Sequence, residues 1–119
     1  MNYYSLEIDE QVPSLNEMKK WHWSIWSAYM HRWSMFVLEQ KTKKKYPRIK
    51  GYVTIEIIFV FDNKHKKDWD NYVAGTKGLM DGLKHHLIDD DNMDVIRDIH
   101  YKKTYGATAQ TRVLIEEVV

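Results

Sequence analysis

The sequence predicts a single α+β domain, residues 1–119, with element order β-α-β-α-β-β and two helices packed on a mixed or mostly antiparallel sheet. Three observations carry that prediction. Apolar and polar residues alternate at period two near the start, in the middle and near the end of the chain. Two intervening stretches instead repeat apolar residues at helical spacing. A chain of 119 residues, 44% hydrophobic and 29% charged, suits one domain with a modest core.

Each element has a local reason. From Tyr3 to Asp9, Tyr4, Leu6 and Ile8 fall on one side and Ser5, Glu7 and Asp9 on the other, as in a half-buried strand, and Val12-Pro13-Ser14 ends it. Ser14 and Glu17 have capping-box spacing, and Met18, Ile25, Tyr29, Trp33, Phe36 and Val37 then mark one long helix to about Gln40. A basic linker interrupted by Pro47 leads to YVTIEIIFVF, a strand with Val53, Ile55, Ile57, Phe59 and Phe61 facing the core. Asp70 or Asn71 can cap a second helix to about His86, with Val73, Leu79, Met80, Leu83 and Leu87 on its buried side. Gly75, Gly78 and Gly82 weaken that helix and point to close packing or close approach of a ligand. Val95 to Tyr101 and Thr111 to Val118 complete the strands, with Gly106 marking a turn between them.

Several function classes drop out. No stretch approaches the roughly 20 apolar residues that cross a bilayer, MNYYSLEID lacks the pattern of a signal peptide, and there is no cysteine. The expectation is a cytoplasmic protein with no membrane partner. Glycine-rich phosphate loops and GxSxG are absent. An EF-hand starting at Asp89 would put Met93 at a ligand position and Asp94 where glycine is needed. His85 and His86 are adjacent and diverge on a helix, which does not suit zinc. A phosphatase or sugar transferase using a DxD motif would need a far longer chain.

The net charge of +1 hides a segregated distribution. Residues 41–67 carry nine Lys and Arg against two acidic residues, whereas residues 68–98 carry three against eight. Such a boundary suits a surface for a polyanion beside a pocket for cations; the plainer reading of KTKKKYPR, with Lys43, Lys44 and Lys45, is a solvated loop. Asp68 and Asp70 begin the second helix, and Asp89, Asp90 and Asp91 follow it. Three aspartates there face the negative end of the helix dipole, and a hard divalent cation would offset them. Turn chemistry and capping are the alternative. Trp21, Trp23, Trp26 and Trp33 crowd the first helix, chiefly as core or dimer interface. Trp21 and Trp23 cannot share a face, so one of them, near Lys19, Lys20 and His22, is free to meet DNA.

DWDN, then Lys77 four residues before Asp81, Leu83, and the acidic pair Asp90-Asp91 together resemble the RusA family of Holliday junction resolvases. PSLN at residues 13–16 and the basic Lys66 and Lys67 ahead of the acidic motif extend the resemblance over the whole chain. It implies a homodimeric, Mg²⁺-dependent endodeoxyribonuclease, with Mn²⁺ as a possible substitute, that binds four-way DNA junctions and makes paired symmetric nicks. Asp68, Asp70 and Asp91 match the family's catalytic, metal-binding carboxylates, Lys77 its catalytic lysine, and Asp90 an adjoining ligand. Lys66, Lys67, Lys43, Lys44, Lys45, Lys19 and Lys20 are the DNA-contact candidates. The rival reading is a non-catalytic DNA-binding module of the same fold. One departure is the Asn71 to Lys77 stretch, about three residues longer than in the best-known form, or ~4.5 Å of helical rise. A continuous helix from Asp70 would keep Asp70, Lys77 and Asp81 within roughly 20° of one face; a loop over YVAG would instead put Lys77 in the first helical turn. The continuous helix is the expectation, because VAGTKGLM keeps apolar residues at helical spacing.

Overall fold

The computed structural model describes residues 2–118. Along the chain run β1 (Tyr3–Ile8), α1 (Leu15–Met18), α2 (Trp23–Lys44), β2 (Val53–Phe61), α3 (Trp69–Ala74), α4 (Lys77–His86), β3 (Ile96–Tyr105) and β4 (Gln110–Glu117). The strands form one sheet in the order β1-β4-β2-β3, in which β4 runs antiparallel to both β1 and β2 while β3 runs parallel to β2. The predicted α+β class and element order hold, with a mixed sheet.

One face of the sheet carries the core. Leu6, Ile8, Val53, Ile55, Ile57, Phe59, Val113 and Ile115 are buried there together with Tyr29, Trp33 and Val37 of α2 and Leu79 and Leu83 of α4. The strand alternation is legible because the other face is wet: Glu7, Arg112 and Leu114 are exposed, and Glu56 pairs with Lys102 at 2.8 Å. α4 approaches α2 so closely that a Cβ at Gly82 would lie 3.0 Å from the Ser34 backbone, which explains a glycine inside the helix. Ser34 Oγ and His86 Nε2 join the two helices at 2.8 Å.

Both predicted helices are interrupted. The first splits into α1 and α2: Ser14 Oγ accepts from Glu17 N as expected, but His22 then starts a new helix by accepting from Ser24 N. Trp21 is turned back onto Trp26 and Tyr29, at ring separations of 5.7 and 5.1 Å. Its neighbour Trp23 is the exposed one, at 73%. The expected inward position Ile25 is also exposed, and α2 runs to Lys44 instead of Gln40. The second helix breaks at Gly75-Thr76. Among the described residues, no helix is long and apolar enough to cross a membrane.

Candidate active site

The loop after β2 delivers the first acidic pair. Lys67 clamps this loop, its Nζ donating to Asn63 O, Asn63 Oδ1 and His65 O at 3.1, 2.8 and 2.6 Å while lying 4.6 Å from the Phe61 ring centre. Lys66 beside it stays exposed. Asp68 occupies the N-cap of α3 in extended geometry yet makes no side-chain cap hydrogen bond, so its carboxylate is not spent on the helix. Asp70, in the first turn, accepts among the described residues only a local bond from Asn71 N at 3.1 Å. Both side chains are exposed.

Lys77 opens α4 beyond the Gly75-Thr76 break, so the continuous helix expected from Asp70 is not what forms. The cause is tertiary. The buried Tyr29 hydroxyl donates to Gly75 O at 2.6 Å and accepts from Gly78 N at 2.8 Å, stapling the turn from α2. Burial pushes this phenol upward, with the Gly78 N–H working against it. Lys77 is exposed and, although four residues before Asp81 on the same helix, does not pair with it: Asp81 meets His85 Nδ1 at 3.3 Å.

The second acidic group is mostly occupied by the fold. Asp89 Oδ2 accepts from Gly51 N at 2.9 Å, tying the loop to the approach of β2. Asp90 Oδ1 accepts from Asp91 N at 2.7 Å, and that backbone bond, with the nearby Lys84, holds its carboxyl below the usual range. Lys84 Nζ lies 3.7 Å from Asp90 and 4.0 Å from Asp91. Arg48 donates to the carbonyls of Lys84, His85 and Ile88 at 2.9, 2.9 and 2.7 Å. It caps the end of α4, so Arg48 and Lys84 supply the positive charge that the dipole argument demanded. Asp91 remains exposed and accepts no hydrogen bond among the described residues.

The two groups stand at opposite ends of the sheet. Asp68 lines a cavity with Phe61 and Tyr105, the last residues of β2 and β3, whereas Asp89 is bonded to Gly51, two residues before β2. The nine residues of β2 lie between them, a span of ~25 Å at about 3.3 Å per residue. Among the described residues, no three Asp, Glu or His side chains gather closely enough to hold a metal ion. Convergence of Asp68, Asp70 and Asp91 within one chain is therefore not what the fold provides. The signal was present in the topology: a helical crossover between parallel strands carries the chain from the end of one to the start of the next, separating whatever flanks it.

The lysine candidates divide similarly. Lys19, Lys20, Lys43 and Lys45 are exposed. Lys44 is folded back onto β1, donating to Ser5 O at 2.7 Å and pairing with Glu7, so its charge is engaged within the fold. Sequence reasoning missed Lys64 and Lys103, which line the Asp68 cavity; Lys103 lies beyond the strand expected to end at Tyr101, but β3 runs on to Tyr105 and its register opposite Phe59 brings Lys103 there.

A comparison with curated protein sequences finds no match. The family model described as endodeoxyribonuclease RusA matches residues 9–116, nearly the whole chain, and the protein belongs to the RusA family.

Proposed function

We propose that the protein is a Mg²⁺-dependent endodeoxyribonuclease that resolves four-way DNA junctions by paired symmetric nicks, acting as a homodimer. The observation that carries this reading is the exposed Asp68–Asp70 pair, free of structural duty, in a chain that matches the family over residues 9–116.

The donor set fits the metal. Mg²⁺ takes one or two carboxylates and fills its remaining positions with water and substrate phosphate oxygens, and Asp68 and Asp70 offer two hard oxygen donors open to solvent. When bound, it supplies an activated water and neutralises charge on the transferring phosphoryl group. The chain's own groups orient the DNA around that centre. Lys66 and the cavity lysines Lys64 and Lys103 attract backbone phosphates by charge, as do the more distant Lys19, Lys20, Lys43 and Lys45. Lys77, held at the start of α4 by the Tyr29 staple, contributes a point charge toward the phosphate without coordinating the cation.

Asp90 and Asp91 complete the site from a second copy. A span of ~25 Å forbids one chain from presenting both groups to one ion. A two-fold axis that sets the start of β2 of one copy against the end of β2 of the other closes two equivalent sites, matching the two symmetric cuts.

Cleavage of a synthetic four-way junction with and without Mg²⁺ tests the activity. Nicks at symmetric positions with Mg²⁺ and none in EDTA are expected; binding without cleavage in any divalent cation would leave a DNA-binding module instead. Lys77→Ala is expected to slow single-turnover cleavage roughly 10²-fold at saturating Mg²⁺ with metal affinity nearly unchanged. An unaltered rate would remove Lys77 from the chemistry.

A further inference from the structure

The cavity beside Asp68 has a composition that the acidic pair does not explain. It opens where the parallel strands β2 and β3 end level with each other, Phe61 opposite Tyr105, with Gly106 N donating to Phe61 O at 2.9 Å. Beyond the carboxyl ends of parallel strands the loops diverge and leave room for a ligand. The cavity measures about 280 Å³, at the small end for a ligand site, which suits one planar group. Its floor is the buried Phe59 and Phe61, and its lining includes Trp69 and Tyr105, which remain 51% and 45% exposed.

Charge narrows the ligand. Lys64, Lys66 and Lys103 line the same space, and the Lys64 ammonium lies 5.7 Å from the Tyr105 ring centre. Ammonium groups exclude a wholly apolar guest, while a simple anion would have no use for two half-exposed aromatic rings. A nucleotide satisfies both, its base stacking on rings and its phosphates meeting lysines.

We propose that this cavity takes a single unstacked nucleobase of the DNA, next to the phosphate at Asp68 and Asp70, stacked on Trp69 and Tyr105 with the flanking phosphates on Lys64, Lys66 and Lys103. The inference rests on the nuclease reading for its ligand and deepens it. In an intact duplex a base comes out only at the cost of unstacking from both neighbours as well as unpairing, whereas a branch point already interrupts stacking on one side and lowers that cost. The cavity therefore selects branched DNA by structure and, because every base has a stacking face, with little regard to sequence.

The test uses the full chain in EDTA, so that binding is read without cleavage. Single abasic nucleotides are scanned across the branch point of a synthetic four-way junction against wild type, Tyr105→Ala and Tyr105→Phe. Wild type is expected to lose roughly tenfold in affinity at one abasic position. Tyr105→Ala should bind the intact junction roughly tenfold more weakly and be indifferent to that same position, while Tyr105→Phe, which keeps the ring, should behave as wild type. Thermal melting within a few degrees of wild type verifies that the exposed substitution leaves the fold intact. Equal abasic penalties in wild type and Tyr105→Ala, or unweakened binding by Tyr105→Ala, would overturn the proposal. A protein that shows the coupling yet never cuts would overturn the nuclease reading alone. One that cuts junctions with additive penalties would overturn the base cavity alone, and absence of junction binding would overturn both.

Discussion

Asp70→Asn is expected to abolish junction cleavage, by roughly 10³-fold or more, and to leave junction binding at least as tight as wild type. The substitution preserves shape. The hydrogen bond that Asp70 receives from Asn71 N can be accepted equally by an amide oxygen, so stability should stay within about 0.5 kcal/mol. What is lost is a full negative charge on a hard oxygen donor, which a divalent cation requires. Attraction for DNA does not suffer, because removing a negative charge beside a phosphate can only favour association. Single-turnover cleavage and metal-free binding on the same junction check both halves. Full cleavage by Asp70→Asn would remove this residue from the site.

The largest effect on stability is expected at Gly75. A Cβ there would lie 1.8 Å from Pro13 O and 3.0 Å from Pro13 C, and backbone atoms cannot step aside as a side-chain tip can. The carbonyl of Gly75 is also held by the buried Tyr29 hydroxyl, so the turn cannot move away without breaking that bond. Gly75→Ala should cost about 3 kcal/mol or more and lower Tm by about 10 °C or more. Gly51→Ala is the comparison. Gly51 has φ +89° with nothing near its would-be Cβ, so only conformational strain of ~1 kcal/mol applies. Equal melting temperatures for Gly75→Ala and wild type would show that the contact between Pro13 and the α3–α4 turn is not made.

These two positions illustrate what the sequence discloses and what it hides. Strand faces were legible because the sheet is wet on one side, so Val53, Ile55, Ile57 and Phe59 alternate cleanly with Thr54, Glu56 and Ile58. Strand order was not, since pairing β4 between β1 and β2 depends on contacts distant in sequence. The break at Gly75-Thr76 was hidden for a related reason: the apolar spacing from Val73 to Leu83 stays compatible with one helix, and the interruption is imposed by Tyr29 and Pro13 from elsewhere. Asp68 and Asp70 could be singled out from spacing at an exposed helix start. Arg48 could not be told apart from its basic neighbours, because the carbonyls that it caps lie 36 to 40 residues away. Lys44 and Lys67 read as free cations in a basic run and turn out to hold β1 and the β2–α3 loop.

The proposed cutting centre is shared between two copies, with Asp68 and Asp70 from one and Asp91 from the other. Subunit complementation tests this directly. Differently tagged Asp70→Asn and Asp91→Asn chains are co-expressed, and the mixed dimer is isolated through both tags and assayed on a four-way junction. Each homodimer has a defect in both of its sites and should be inactive. In the mixed dimer both substitutions fall in one site and leave the other wholly wild type, so the account predicts that cleavage returns as a single nick per junction. A mixed dimer as inactive as its parents, or an Asp91→Asn homodimer that cuts normally, would contradict it.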